Sequence, residues 1–221
     1  MNYLTHKLLN SEELEILRKG FEKDSLEWED GKLTAGKHAA KEKNNLQLRR
    51  DSDLSIKFSG LITKKILSNE LIKSFALPKK IHGTIFSKST GGMKYGRHID
   101  NAYMSSGRAD LSFTVFLNCK KKYEGGALSI QGLNSEEKFK LDAGEIIIYP
   151  STYLHSVEKV IDGERLVFIG WIESYVKSIE EREYLFDLDA AARSLLAKYG
   201  RSEEVDLIYK SYSNFLRRLG N

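Results

Sequence analysis

The stretch GEIIIYPSTYLHSVEKVIDGERLVFIGWIES, residues 144–174, contains two runs of β-branched and aromatic residues separated by turn-forming ones. Such runs are typical of β-strands, because these side chains pack well on a pleated surface. Similar runs precede this stretch, and together they predict an antiparallel sandwich or barrel. The predicted strands lie in IHGTIFSKS (81–89), DLSFTVFLN (110–118), GGALSIQG (125–132), EKFKLDAGEIIIYPS (137–151) and RLVFIGWIES (165–174).

Helical patterns flank the β region on both sides. A capping residue, two acids and apolar residues at helical spacing predict a first helix over residues 10–21, and a second is predicted within 51–70. After Ser178 the segment IEEREYLFDLDAAARSLLAKYG ends at Gly200, a good helix stop, and SEEVDLIYKSYSNFLRRLG follows. Two consecutive helices predict a helical hairpin packed on the β region, where it would cover sheet edges or form a dimer contact.

The segment WEDGKLTAGKHAAKEKNNLQL, residues 28–48, has no clear apolar periodicity. It therefore predicts a long loop, and long loops in compact domains are often functional or disordered. Together with GGMKYG, residues 91–96, it is expected to line or cover the mouth of a site.

Composition limits the class of protein. A chain of 221 residues with 41% hydrophobic and 30% charged residues fits one soluble globular domain with a small appendage. No apolar run reaches the length of a membrane span, and the N-terminus is a poor secretory signal. The single cysteine fits a reducing cytoplasm, and the mixed charges with a net +4 do not favour a nucleic-acid partner.

Two metal-ligating residue types lie close together in GRHIDNAYM, residues 96–104. His98 and Asp100 are separated by one residue, so on an extended strand both side chains share a face and can bind one ion. His155, just after the apolar run GEIIIYP, is the candidate third ligand. Two histidines and a carboxylate form the facial triad of non-haem Fe(II) sites, whose open positions O₂ chemistry needs. An exposed or hydrogen-bonded pair without metal is the alternative for His98 and Asp100 alone.

Arg165 lies ten residues after His155, at the start of the apolar run RLVFIGWI. A cation entering such a strand is costly unless it is paired, and a bound dicarboxylate would pair it. This order of residues is what an Fe(II) and 2-oxoglutarate site requires. A surface ion pair between Arg165 and Glu164 or Asp162 is the alternative.

The remaining histidines and the cysteine carry no such pattern. The sequence predicts that His6, His38 and His82 are structural or surface residues, and that Cys119 is a small buried or edge residue. Metal-dependent oxygen chemistry needs no protein acid, base or nucleophile, so none is assigned.

The chain resembles the PKHD-type hydroxylases, a bacterial branch of the Fe(II)/2-oxoglutarate dioxygenases related to prolyl 4-hydroxylases. The segments that carry the resemblance are WEDGKLTAGKHAAKEKNN, YGRHIDNAYM, RADLSFTVFLN, YEGGALSI, GEIIIYPSTYLHSVEKVIDGERLVFIGWIES and LFDLDAAARSLL. The resemblance implies a mainly β, α+β protein built on a double-stranded β-helix, or jelly roll. It implies a dioxygenase domain with its N-terminal helices over residues 1–177 and a helical extension over 178–221.

The resemblance also implies the site and its chemistry. Iron would be bound by His98, Asp100 and His155, and Arg165 would hold the far carboxylate of 2-oxoglutarate. Tyr95 is placed near the cosubstrate, with a barrel-core tyrosine as the alternative. The implied reaction hydroxylates a peptide or small-molecule substrate and converts 2-oxoglutarate to succinate and CO₂, with ascorbate as supporting reductant. A cupin-like protein that binds metal and ligand without redox chemistry, and an interaction module that uses the C-terminal helices, are the competing hypotheses.

Overall fold

A computed structural model of the protein describes residues 3–22, 26–34, 39–132 and 135–221. The helices are α1 (Ser11–Phe21), α2 (Asp53–Ser68), α3 (Glu70–Ala76), α4 (Ile179–Tyr199) and α5 (Glu203–Leu219). The strands are β1 (Leu4–Lys7), β2 (Trp28–Asp30), β3 (Lys43–Asn44), β4 (Leu46–Leu48), β5 (Pro78–Ser89), β6 (Lys94–His98), β7 (Tyr103–Met104), β8 (Gly107–Arg108), β9 (Leu111–Phe116), β10 (Tyr123–Gly125), β11 (Leu128–Gln131), β12 (Glu136–Phe139), β13 (Glu145–Pro150), β14 (His155–Val157), β15 (Val160–Gly163) and β16 (Arg165–Ser174).

Most strands belong to two antiparallel sheets. The larger sheet has seven strands in the order β1-β13-β9-β16-β5-β4-β2, and the smaller has five in the order β12-β11-β14-β6-β3. Neighbours in space are rarely neighbours in sequence, so the chain crosses repeatedly between the two sheets. The predicted mixture of helices with a large antiparallel β core is confirmed.

The two faces of the larger sheet pack against different parts of the protein, because successive side chains along a strand point to opposite faces. On β13, Ile146 and Ile148 belong to a core that includes Ile62 and Ile66 of α2. The alternate residue Ile147 packs in a second core with β11 of the smaller sheet. The N-terminal helices therefore cover one face of the larger sheet, and its other face is turned toward the smaller sheet.

The predicted C-terminal hairpin is present. Ser178 and Ser202 cap α4 and α5 through hydrogen bonds from the backbone amides of Glu181 and Val205, and Gly200 ends α4. The hairpin is anchored by a small apolar cluster around Leu77, Val176 and Leu185, to which α5 contributes Tyr212, Leu216 and Leu219. It thus packs where α3 ends and the chain leaves β16.

The prediction of an unstructured loop over residues 28–48 is wrong for the described part. The segment contains β2, β3 and β4, and it joins both large sheets, since β4 pairs with β5 and β3 pairs with β6. Each of these strands has only two or three residues, too few to show an alternating pattern in the sequence. Residues 35–38, which include His38, lie outside the described residues.

None of the helices in the described ranges combines the length and the apolar character that crossing a membrane demands.

Candidate metal centre

A cavity of about 920 Å³ is lined by residues of both large sheets. Its volume is at the upper end of the range for pockets that hold drug-sized ligands. Apolar walls are provided by Leu128, Val157, Val167 and Ile169, and the predicted site residues lie among them.

The structure brings His98, Asp100 and His155 together in this cavity. One ligand atom from each residue lies within 4.8 Å of the others. The Nε2 atoms of His98 and His155 lie 4.0 and 3.7 Å from the two carboxylate oxygens of Asp100, distances too long for hydrogen bonds. The spacing fits donors that surround a common centre.

Strand pairing explains why the two histidines meet. His98 is the last residue of β6, His155 is the first residue of β14, and the two are directly opposite in the antiparallel pair. Their rings lie 4.2 Å apart, and Asp100 follows two residues after β6, next to them. Fifty-six residues lie between the histidines in sequence, yet the register of β6 against β14 in the smaller sheet places them opposite each other.

Backbone carbonyls orient both imidazoles. His98 Nδ1 lies 2.8 Å from the Gly96 carbonyl oxygen, and His155 Nδ1 lies 3.0 Å from that of Tyr153. A carbonyl can only accept, so each Nδ1 carries a proton, and in the neutral imidazole Nε2 then keeps its lone pair. This is the usual arrangement of a metal-binding histidine.

Two serines that the sequence analysis did not assign support Asp100. Ser112 Oγ donates to Asp100 Oδ2 at 2.6 Å and lies 2.7 Å from Ser151 Oγ. Both serines are buried. A signal for Ser112 exists in the sequence, because Ser112 and Thr114 alternate with apolar residues in LSFTVF and so mark a polar inner face of β9.

The electrostatics favour metal binding over protonation. Burial, followed by the nearby His155, lowers the pKa of His98 to about 4. The His98 imidazole is therefore neutral at pH 7, which is the form that binds metals.

Arg165 lies in the wall of the same cavity. It is the first residue of β16, is 3% exposed, and its guanidinium carbon lies 5.5 Å from the centre of the Phe116 ring. Burial lowers the pKa of Arg165, and no carboxylate of the described residues pairs with it. The alternative of a surface ion pair is wrong, because Asp162 and Glu164 are exposed and Arg165 is not.

Tyr95 stacks on the metal-centre side of the cavity. Its ring lies 3.7 Å from that of His98, nearly parallel to it, and burial raises the pKa of Tyr95 to about 12. Tyr95 is thus a neutral phenol that packs on the His98 ring from β6 of the smaller sheet, whereas Arg165 lies on β16 of the larger sheet.

The cluster offers two imidazole nitrogens and one carboxylate oxygen beside an open cavity. This is the donor set of a facial-triad Fe(II) site.

Two of the histidines predicted to be structural, His82 and His6, have other partners. His82 is buried between Ser106 and the Arg108 carbonyl, and His6 pairs with Asn69. Cys119 is partly buried.

Comparisons with known proteins agree with this geometry. Residues 84–173 match the family model of the 2OG-Fe(II) oxygenase superfamily, and residues 180–220 match that of the PKHD-type hydroxylase C-terminal domain. A PKHD-type hydroxylase of Prochlorococcus marinus (strain MIT 9215) is 73% identical over 220 residues, which is 100% of both chains. The corresponding protein of strain MIT 9515 is 69% identical over 221 residues, again 100% of both.

Solved structures share the fold. A prolyl-4-hydroxylase of Pseudomonas putida superposes with a TM-score of 0.57 at 16% identity, covering 78% of this chain and 92% of that one. A prolyl hydroxylase of Trichoplax adhaerens, in complex with a peptide fragment of hypoxia inducible factor, gives a TM-score of 0.56 at 13% identity. That match covers 83% of this chain and 86% of the other.

Proposed function

The chain belongs to the PKHD-type hydroxylases and is a 2-oxoglutarate-dependent dioxygenase, and from this premise we propose which residues perform the reaction. His98, Asp100 and His155 bind Fe(II), and Arg165 binds the distal carboxylate of 2-oxoglutarate. The observation that carries the assignment is the convergence of three ligand atoms within 4.8 Å in a cavity that Arg165 also lines.

Family membership decides against the alternative of a metal-binding protein without redox chemistry. When bound, Fe(II) supplies the oxygen chemistry, in which 2-oxoglutarate loses CO₂ to give succinate and the substrate gains a hydroxyl group. The protein supplies ligands, orientation and a shielded cavity.

The residues of the cavity orient the proposed iron ligands and bind the cosubstrate. The Gly96 and Tyr153 carbonyls keep the Nε2 lone pairs of both histidines available, and Ser112 holds the Asp100 carboxylate. Arg165 offers a planar guanidinium, which recognises a carboxylate through two parallel hydrogen bonds. No side chain is needed as a general acid, base or nucleophile.

The finer architecture is also part of the proposal. The two facing antiparallel sheets form a double-stranded β-helix, supported by the crossing strand order and by the likeness to prolyl hydroxylases. The dioxygenase domain spans residues 1–177 and the helical extension 178–221. Support for this boundary comes from Ser178, which caps α4 directly after the last strand.

The substrate and auxiliary factors are inferred by kinship. The Trichoplax adhaerens neighbour holds a peptide, which supports a peptide substrate here, and a small molecule is the other candidate. Ascorbate as reductant and a cytoplasmic location with reduced Cys119 complete the proposal.

Turnover without the primary substrate tests the function. Protein loaded anaerobically with Fe(II) and then exposed to air is expected to release succinate slowly from 2-oxoglutarate, and His98→Ala should abolish this release. Arg165→Met should raise the KM for 2-oxoglutarate by about tenfold to a hundredfold, because a charged hydrogen bond is lost, while Fe(II) affinity stays the same.

Contrary results would be equally clear. No succinate release from fully loaded protein would overturn the assignment of the metal site. An unchanged KM in Arg165→Met would remove Arg165 from the cosubstrate site.

A further inference from the structure

Lys43 is a buried lysine in the wall of the same cavity. It lies on β3 opposite Tyr95 of β6, and only 5% of it is exposed. Its Nζ donates to Thr34 Oγ1 at 3.1 Å and lies 4.9 Å from the centre of the Tyr95 ring. An ammonium group has three N–H donors, so Thr34 leaves donors available to the cavity.

This lysine remains charged although it is buried. Burial lowers the pKa of Lys43 to about 8, which keeps the ammonium protonated at neutral pH. In the part of the chain that the structure describes, no carboxylate forms an ion pair with Lys43. Asp100 and Asp30 raise the pKa of Lys43 through space without pairing with it, and an anionic ligand in direct contact would offset the remaining cost of burying this cation.

The cavity lining carries more positive than negative side chains, which also favours an anionic ligand. Lys43, Arg50, Arg97 and Arg165 line it, and Asp100 is the one acidic side chain among its described lining residues. With the proposed site filled, Fe(II), Asp100 and Arg165 together neutralise the two negative charges of 2-oxoglutarate. Three cations are then left over, and no ion pair to a described residue satisfies any of them.

We propose that Lys43 binds an oxyanion of the primary substrate, either a carboxylate or a phosphate, beside the metal centre. The inference rests on the proposed function, because that function assigns the cosubstrate to Arg165 and leaves Lys43 for the substrate. Lys43 is a specificity-determining residue in this view. Its position next to Tyr95, which stacks on His98, brings the anion close to the reacting centre.

The cavity mouth fits such a substrate. Arg50 and Arg97 are exposed where they line it, and exposed cations attract an anionic ligand from solution. Ile99 and Tyr103, which are 55% and 73% exposed, line the same opening. A substrate that combines an anionic group with an apolar part would contact both kinds of residue.

A purely structural role is the competing explanation for Lys43. Its contacts with Thr34 and Tyr95 join the segment after β2 to the smaller sheet, and Thr34 Oγ1 in turn donates to Gln47 Oε1 at 2.8 Å. A structural lysine would affect stability but would not bind anions, so an anion titration separates the two roles.

The experiment measures binding rather than turnover. Protein saturated anaerobically with Fe(II) and 2-oxoglutarate is titrated calorimetrically, at constant ionic strength, with inorganic phosphate, N-acetylglycine or the neutral N-acetylglycinamide. We expect saturable binding of phosphate or N-acetylglycine and none of the amide, and the preferred anion identifies the substrate group. Lys43→Met should weaken that binding about tenfold to a hundredfold, and Lys43→Arg should retain most of it.

Lys64→Met is the matched control, since Lys64 is an exposed lysine on α2, a helix that contributes no residue to the cavity lining. Equal anion affinity in wild-type protein and Lys43→Met, or no saturable anion binding by wild-type protein, would overturn the proposal. A loss of 2-oxoglutarate affinity in Lys43→Met as large as in Arg165→Met would do so too. Failure of the proposed function would appear separately, as absent succinate release. The difference in anion affinity between wild-type protein and Lys43→Met, measured without iron and 2-oxoglutarate, would still report on Lys43, because Arg165 is present in both.

Discussion

At the scale of single residues, orientation distinguishes this site from a chance cluster of ligating side chains. The residue types and their order allow His98, Asp100 and His155 to be proposed as ligands from the sequence. The direction of each imidazole depends on a backbone carbonyl two residues earlier, Gly96 or Tyr153, and the sequence does not contain that information. The alternation in β9 marks Ser112 as an inward polar residue, but it does not predict the contact with Asp100, because Ser112 lies on β9 and Ser151 in the turn after β13.

Ser112 offers a test of this outer support. Removal of its hydroxyl in Ser112→Ala leaves Asp100 without its 2.6 Å hydrogen bond, and loss of such a partner typically weakens metal binding by about tenfold to a hundredfold. We expect that decrease in Fe(II) affinity, measured by anaerobic titration. Ser129→Ala is the matched control, because Ser129 is also buried but its hydroxyl has no partner among the described residues. Equal metal affinities in the two variants would show that Ser112 does not support the ligand.

At the scale of elements, long strands that are buried on both faces could be predicted from the sequence, and short strands beside the cavity could not. The strands β9, β13 and β16 are six to ten residues long and buried on both faces, so they appear as clear apolar runs. The strands β6 and β14, which carry the two proposed histidine ligands, have only five and three residues and include several polar side chains. These strands therefore lack the alternation of apolar and polar residues from which a strand is predicted in a sequence.

The sequence pattern predicts one helix within residues 51–70 and does not show that α2 ends at Ser68 and α3 begins at Glu70. Asn69 ends α2 and caps α3, because its Oδ1 accepts from the Ile72 amide at 3.0 Å, and its amide nitrogen lies 3.0 Å from His6 Nε2. One side chain thus ends one helix, starts the next and ties both to the N-terminal strand.

Asn69→Ala should therefore lower the free energy of unfolding by about 1–2 kcal/mol, the cost of a lost helix cap plus a lost side-chain contact. Urea denaturation would measure the change, with Lys64→Ala on the exposed face of α2 as the control. A change in Asn69→Ala no larger than in this control would mean that the helix junction does not depend on the cap.

At the scale of the whole molecule, the helices and the chemistry occupy opposite sides of the larger sheet. The N-terminal helices pack on its outer face, and the cavity opens on the other, so β5, β9, β13 and β16 each contribute one face to stability and one to the site. The C-terminal hairpin contributes no residue to the cavity lining, and it is held by its own apolar cluster and by Phe186 of α4, which packs against Phe75 of α3. The helix stop at Gly200 and the helical segments on either side of it predict this hairpin, but not its anchoring point between Leu77 and Val176, which depends on long-range packing.

This separation makes a global prediction about Leu185, which is 1% exposed in the hairpin cluster. Leu185→Ala should reduce the free energy of unfolding by about 2–5 kcal/mol, the usual cost of a large-to-small change in a core. Leu196→Ala on the same helix, where the side chain is 40% exposed, should cost less than about 1 kcal/mol. The KM for 2-oxoglutarate, measured well below the unfolding transition, should be the same in both variants, because α4 contributes no residue to the cavity lining. A raised KM in Leu185→Ala at full folding would show instead that the hairpin is coupled to the active site, and it would favour a working surface in the C-terminal helices over a structural one.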